Sequence, residues 1–268
     1  MTKGSNDSTS GKWFNAVPNE LHGHRKKLIF FMDSLQDFRI AGNLKADSVR
    51  ILEVGCSNGR NVSLPLAECG YQFTGIDIHQ PSIDWAISHS KFQNANFICQ
   101  DFFTFDSREK FDVVILSDIL EHVDDPLSLL RLSEKHLKFN GIILVCIPNG
   151  YGPYEMEQRF IRVTRLERLF EIIKRFIKRI FFKQVEKRRE YNYDSGHVNF
   201  FQMKDIEKLL HQAGLIITLK SKGALFGGGL TYALGILFPF IIKPSLWLAN
   251  YLPFWMITTW YFSLKRKI

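Results

Sequence analysis

The residues able to do chemistry gather at the ends of apolar runs. The stretch ILEVGCSNGRN, residues 51–61, sets Glu53, Gly55, Ser57 and Gly59 at alternate positions. Two chemistries fit it. Read as G-x-S-x-G, it puts Ser57 on a strained strand-to-helix turn as a hydrolase nucleophile, with Asp118 as the later acid and His197 as the last member. Read as a glycine-rich turn, it lets backbone close on a nucleoside cofactor at a helix N-terminus. The hydrolase reading lacks support: no HGGG-like oxyanion segment precedes the turn, and little sheet comes before it to hold up an exposed nucleophile. The cofactor reading gains from GIDIH, which sets Asp77 at the end of a second strand, where a carboxylate reaches a ribose diol. A dinucleotide site would show G-x-G-x-x-G. Here Gly55 is followed by Ser57, Gly59 and Asn61, so that fingerprint fails.

The elements needed to hold these residues are legible in the pattern. Leu28, Phe31, Met32, Leu35 and Phe38 recur at helical spacing within residues 20–41. VRILEVG reads as a buried strand, followed by the turn and a helix to about Cys69. Strands follow in YQFTGIDI, ANFICQ, KFDVVILSD and GIILVCIPNG, with helices in PSIDWAISHS and DPLSLLRLSEKHLK between them. After these come a helix in MKDIEKLLHQAG and strands in LIITLKSK and ITTWYFSLKRK. Strands alternating with helices imply an α/β fold, a doubly wound and mostly parallel sheet covered on both faces. Continuous apolar strands fit burial on both sides. Ligands of such sheets bind beyond the carboxyl ends of the strands, where Asp77, Asp101, Ser117 and Asp118 fall.

Taken together, these segments resemble the class I S-adenosylmethionine-dependent methyltransferases, of the small-molecule or lipid branch, over residues 49–217. LEVGCSNGRN is similar to their first motif, FDVVILSDILEHVDDP to their fourth-strand motif, and LKFNGIILVCIPN to their fifth. GHVNFFQMKDIEKLLHQAGL is similar to the segment before their sixth strand. The resemblance implies a seven-stranded Rossmann-like fold with S-adenosyl-L-methionine as cofactor. It also implies that Gly55, Ser57 and Gly59 line the cofactor and that Glu53 acts on its methionine ammonium, directly or through water. Asp77, with Ile78 beside it, would hold the ribose, and Asp101, with Phe102, the adenine. Ser117 would line the cofactor or acceptor pocket. Ser57 departs from the family, which has glycine there. Arg25, on the N-terminal helix, would reach the cofactor carboxylate; the plain alternatives are that Arg25 is a solvated helix charge, that Asp77 and Asp101 cap the following helices, and that Glu53 orders its loop. His197 and His122 are the candidate catalytic residues; His122 has a structural role as its alternative.

Charge and composition bear on the acceptor. The chain has 268 residues, is 46% hydrophobic and carries +8. Residues 158–189 hold twelve basic and three acidic side chains, so one segment carries the whole excess. RLERLFEIIKRFIKRIFF sets a continuous apolar helical face against Arg and Lys, as in a helix lying on an anionic membrane; a lid or oligomer contact is the alternative. Residues 224–256 are strongly apolar but broken by Gly227-Gly228-Gly229, Pro239, Pro244 and Pro253, which suits a segment dipping into a bilayer better than one crossing it. Neither N/D-P-P-Y/F after the fourth strand nor an aromatic-interleaved basic stripe is present, which argues against nucleic acid. Cys56, Cys69, Cys99 and Cys146 are far apart and read as reduced, and no metal site is expected. The domain reading is a disordered tail at 1–19, a cofactor-binding core at 20–150, a basic amphipathic insertion at 151–195, and an apolar, sheet-completing part at 196–268. A cytoplasmic protein peripherally bound to the inner face of a membrane, methylating a hydrophobic or lipid-linked acceptor at oxygen, is expected; a methyltransferase of a soluble small molecule and a catalytically silent methyltransferase-fold membrane partner are the alternatives.

Overall fold

The computed structural model describes residues 11–17, 23–164, 196–227 and 238–267. Its strands are β1 (Arg50–Val54), β2 (Gln72–Asp77), β3 (Ala95–Cys99), β4 (Phe111–Ser117), β5 (Leu137–Pro148), β6 (Leu215–Lys222) and β7 (Thr259–Arg266). They form one sheet in the order β3-β2-β1-β4-β5-β7-β6. The first five run parallel; β7 is antiparallel to both β5 and β6. The order reverses between β1 and β4, so a crevice opens beyond their carboxyl ends.

Both faces of the sheet are covered, which is why its strands read as apolar runs. In β4, Val113 and Ile115 pack with α2 (His24–Ala41) and α3 (Ser63–Glu68), through Leu28, Phe31, Leu35 and Leu66. Val114 and Leu116 point the other way, to Leu129 and Leu130 of α5 (Pro126–His136) and Ile206 and Leu210 of α7 (Met203–Gln212). Burying each of these side chains stabilises the fold by about 1.5–3 kcal/mol. A third cluster joins Ile83 and Ala86 of α4 (Gln80–His89) to Phe97. Helix starts follow local chemistry: Asp125 accepts the Ser128 N–H at 2.9 Å before Pro126, and Gln202 and Asp205 close a capping box on α7.

Three expectations change at the edges of elements. The tail reading ends too late, because α1 (Lys12–Ala16) is ordered with Phe14 and Val17 buried. It docks because Glu68 accepts the Lys12 and Trp13 N–H groups, both at 2.9 Å, while Trp13 meets Trp85 edge-on. Arg25 is not a solvated charge: its guanidinium donates to the Val17 and Asn15 carbonyls and ties α1 to α2. The fifth strand starts at Leu137, not Gly141, because α5 stops at His136 and the chain turns directly into β5.

The amphipathic region divides. Its first part, α6 (Pro153–Val163), is a helix; residues 165–195, which carry most of the basic face, lie outside the described residues. Residues 228–237 of the apolar stretch also lie outside them. The described remainder contains α8 (Ile242–Leu248) between two 3-10 turns, Pro239–Ile241 and Phe254–Met256. Among the described residues, no helix is long and apolar enough to cross a membrane.

Glu68 holds α1 by two charge-assisted bonds, so Glu68→Ala should cost about 1–3 kcal/mol. Hydrogen exchange should accelerate at residues 12–16 while the strands keep their protection; uniform loosening would contradict this local role.

Candidate active site

The glycine turn crosses the carboxyl end of β1. Gly55 and Gly59 adopt φ of 73° and 68°, in the left-handed region, and the space for a side chain is already taken at both. A Cβ on Gly55 would fall 2.7 Å from Ile119, and one on Gly59 2.9 Å from the Phe97 ring. Ser57 has φ of 49° without being glycine. It is held there by Asp77, whose Oδ2 accepts the Ser57 N–H at 2.7 Å while Oδ1 accepts the His79 N–H at 2.8 Å. The strain in this turn therefore belongs to a backbone cradle joined to the end of β2. Asp77 is only partly buried, and its oxygens keep lone pairs for an incoming diol.

Glu53 lies beneath the turn, buried, and accepts the Ser63 hydroxyl at the start of α3. Burial pushes its pKa up to about 8 against the opposing pull of Ser63 and Lys27, so it is largely neutral at pH 7. Ile78 is exposed beside Asp77. Asp101 is exposed at the end of β3 and accepts the Phe103 N–H at 2.9 Å, so it does cap the short turn after it. Phe102 faces inward, buried against Phe105 and His136.

A second feature begins where β4 ends. Asp118 has φ of 55°, and its Oδ2 lies 2.5 Å from Lys27 Nζ of α2. The Lys27 side chain is 7% exposed and that of Asp118 38%, so the pair is closed on one side and open to a cleft on the other. Ser117 Oγ donates to Asp118 Oδ2 at 3.2 Å, and Cys146 Sγ to Oδ1 at 3.0 Å. Burial opposes both charges. Burial is the largest single influence on each, yet Asp118 with Cys146 and Glu53 together raises the Lys27 pKa, while Lys27 with the Cys146 hydrogen bond draws the Asp118 pKa down to about 2.

The cleft, about 250 Å³, is walled by Gly23, His24 and Lys27 of the α2 end, by Asp118, Glu121 and His122, and by Pro148, Tyr154, His197, Thr258 and Tyr261. His122 and His197 come together across it, with ring centres 5.0 Å apart. Nδ1 of His122 faces the Gly196 carbonyl at 3.1 Å, and Nδ1 of His197 faces buried Glu155 Oε1 of α6 at 3.0 Å. Burial, chiefly, lowers the His122 pKa. The segment bearing His197 is stapled in place: the Val198 and Asn199 N–H groups donate to the Glu121 carbonyl, and Asn199 Nδ2 donates to the Val123 carbonyl. Ile119 packs on Gly55, so one loop backs the glycine turn and walls the cleft.

A family model described as a methyltransferase domain matches residues 23–219, which span α2 through most of β6. The chain belongs to this methyltransferase family. It is a class I methyltransferase whose cofactor is S-adenosylmethionine. Among curated proteins it is similar to the ubiquinone biosynthesis O-methyltransferase of Rickettsia akari (strain Hartford), 31% identical over 109 residues, 40% of this chain and 43% of that protein. The protein of that name in Coxiella burnetii (strain Dugway 5J108-111) is 32% identical over 148 residues, 47% of this chain and 62% of that one. The matches thus cover about half the length of these relatives. The fold is shared with an S-adenosylmethionine-dependent methyltransferase from Clostridium acetobutylicum ATCC 824, with a TM-score of 0.53 and 14% identity, covering 90% of this chain and 91% of that one. It is also shared with PKMT2 from Rickettsia typhi in complex with AdoHcy, with a TM-score of 0.52 and 18% identity, covering 83% of this chain and 49% of that one.

The residues present fit that cofactor: a backbone cradle, a helix behind it, and a half-open carboxylate at the end of β2. Gly55, Ser57, Gly59 and Asp77 are brought together, with Glu53 beneath them. Asp101, Ile78 and Phe102 sit around the ends of β2 and β3, and Ser117, His122 and His197 belong to the cleft side. Lys27, Glu121 and Glu155 were not singled out from the sequence. Lys27 left a signal, since it lies four residues before Phe31 on the apolar face of α2 and so had to be buried. Glu155 left none, because its partner His197 lies 42 residues away.

Two outcomes follow. Asp77→Asn should weaken S-adenosylmethionine binding roughly ten- to hundredfold, the value of about 1.5–3 kcal/mol for a charged hydrogen bond; calorimetry giving wild-type affinity would remove Asp77 from the site. Asp118→Asn should cost about 2–3 kcal/mol in urea unfolding, below the 3–5 kcal/mol of a closed pair because cleft water screens Asp118. Lys27→Met should cost less, since the remaining carboxylate can be hydrated. The Asp118 pKa is depressed from 3.8, so its stabilisation is present above pH 3.8 and lost as pH falls towards 2. Wild type should lose more stability than Asp118→Asn across that window.

Proposed function

We propose that this methyltransferase modifies a hydroxyl oxygen of a hydrophobic, lipid-linked acceptor, working peripherally on the cytoplasmic face of a membrane. The observation carrying the hydroxyl reading is His197, held through Nδ1 by buried Glu155 on the cleft wall. A carboxylate can only accept there, so Nδ1 carries the proton and Nε2 is the nitrogen left to receive one from an acceptor hydroxyl. His122 stands across from it, and burial favours its neutral form. S-adenosylmethionine, bound at the glycine turn, supplies an electrophilic methyl group on a positively charged sulfur. The chain's own residues hold the acceptor oxygen, receive its proton and limit the access of water. The relatives named for O-methylation in ubiquinone biosynthesis support oxygen as the atom and an apolar acceptor as its carrier.

Support for the membrane comes from two segments, the apolar stretch around α8 and the basic amphipathic segment. Phe238, Phe240, Trp247, Tyr251 and Trp255 are exposed around α8, and Trp and Tyr favour the boundary between lipid and water. The basic excess of residues 158–189 would draw the same chain to anionic lipid.

With methyl-labelled cofactor and membrane extracts, label should enter the organic phase, and His197→Gln should lower kcat about a hundredfold at unchanged cofactor affinity. Label confined to the aqueous phase would remove the lipid-linked acceptor, and an undiminished variant would remove His197 as the base. In flotation, the protein should rise with phosphatidylglycerol vesicles and not with phosphatidylcholine, less so as salt increases. Negligible binding to both would end the membrane reading.

A further inference from the structure

We infer that a second copy of this chain docks on a groove at the far end of the sheet from the glycine turn, in a two-fold pair anchored by Phe139. The groove, about 1030 Å³, lies at the amino ends of β4 and β5, where Asp112 and Ile142 line it. Ser34, Asp37 and Phe38 of α2 form one wall, and Ser263, Lys265 and Leu219 of β7 and β6 lie beneath. It exists because the sheet is wider than its cover. Leu144, Ser263 and Leu219 stand side by side across β5, β7 and β6. Leu144 is buried in the cluster under α2 and Ser263 is buried, but Leu219 is exposed. On the opposite face, Leu215 and Ile217 of β6 pack with Ile206 and Leu210 of α7. An antiparallel edge can face water where its outer side is polar. This side instead carries exposed Ile216 and Leu219, and an apolar patch of this kind marks a contact surface.

Three features single out a second copy as the occupant. First, Phe139 lines the groove and is nevertheless 77% exposed. A projecting aromatic ring and an apolar groove on one patch are what a two-fold contact needs, because each copy supplies what the other receives. Second, the charges are self-complementary. Lys138 is neutralised within the chain by Asp112 at 2.8 Å, and Arg266 by Glu134. Asp37 on α2 and Lys265 on β7 are exposed, and neither has an ion pair or hydrogen bond among the described residues. A two-fold axis sets Asp37 of each copy against Lys265 of the other, so one pairing is made twice. Asp33, one turn before Asp37, strengthens the negative side; burial and then the Asp37 charge raise its pKa, and an incoming cation relieves that repulsion. Third, the buried Ser34 Oγ in the groove wall has no hydrogen-bond partner, which a docked chain would supply. The apolar centre, aromatic anchor and charged rim match the anatomy of protein interfaces. The carboxyl ends of the parallel strands lie away from the groove, so both glycine turns stay open in the pair.

Sedimentation equilibrium of the full chain at micromolar concentrations tests the pair, and a reversible dimer is expected. Phe139→Glu should weaken association roughly a hundredfold, as loss of a central aromatic anchor does. Asp37→Lys and Lys265→Asp should each weaken it about tenfold or more by setting like charges together, and the chain carrying both exchanges should recover most of the loss. S-adenosylmethionine affinity, measured on every variant, should stay at the wild-type value and so establishes that each remains folded. A wild type that is monomeric at every concentration would overturn the pair and leave the groove to a small apolar ligand or a different protein. A dimer that persists unchanged in Phe139→Glu would place the contact elsewhere and overturn it as well. Double exchange that restores nothing would rule out the two-fold pairing of Asp37 with Lys265.

Discussion

A buried ammonium on an apolar helix face is tolerated only beside an anion, and the Lys27–Asp118 pair meets that constraint. The pair decides how α2 meets the end of β4, and so where the cleft lies. It also holds Asp118 in a left-handed conformation that a side chain adopts at a cost of about 1–2 kcal/mol. Released from Lys27, the loop could relax, and Ile119, Glu121 and His122 follow Asp118 in the chain. The same loop supports Gly55 through Ile119. One ion pair thus links the glycine turn to the cleft.

The site is built from the ends of strands, as the topology requires. β1 and β2 deliver the glycine turn and Asp77, while β4 and β5 deliver Asp118 and the cleft floor at Cys146 and Pro148. The third contribution comes from beyond the parallel core. Residues 196–201 cross back over the loop after β4 and bring His197 to His122. Because their bonds to that loop are made by backbone and Asn199, this approach is built into the chain rather than into a bound group.

Sequence reading recovered what rests on local pattern. The order of strands and helices was legible because apolar runs and turn residues report local structure directly, and the sheet agrees with the resemblance. That Gly55, Gly59 and Asp77 belong to one turn was legible because a strand-end turn of this kind needs glycine at positive φ and a carboxylate to hold its N–H groups. Ser57 looked like a nucleophile because its turn is strained; the structure explains the strain by the Asp77 bond to its N–H. Asp101 makes the capping bond that stood as the alternative, whereas Asp77 does not cap α4 and instead accepts the Ser57 and His79 N–H groups. What stayed hidden depends on pairing between distant residues. The Arg25 anchor to α1, the Glu155 bond to His197 and the meeting of His122 with His197 have no periodicity to announce them.

The central claim is that the backbone of the glycine turn, closed by Asp77, receives the cofactor. Hydrogen exchange of the full chain with and without S-adenosylmethionine tests it most directly. The account expects slower exchange concentrated at residues 55–59 and 77–79, with β6 and β7 unchanged. Binding that leaves those two segments unprotected, or that protects only the cleft around His122 and His197, would contradict it.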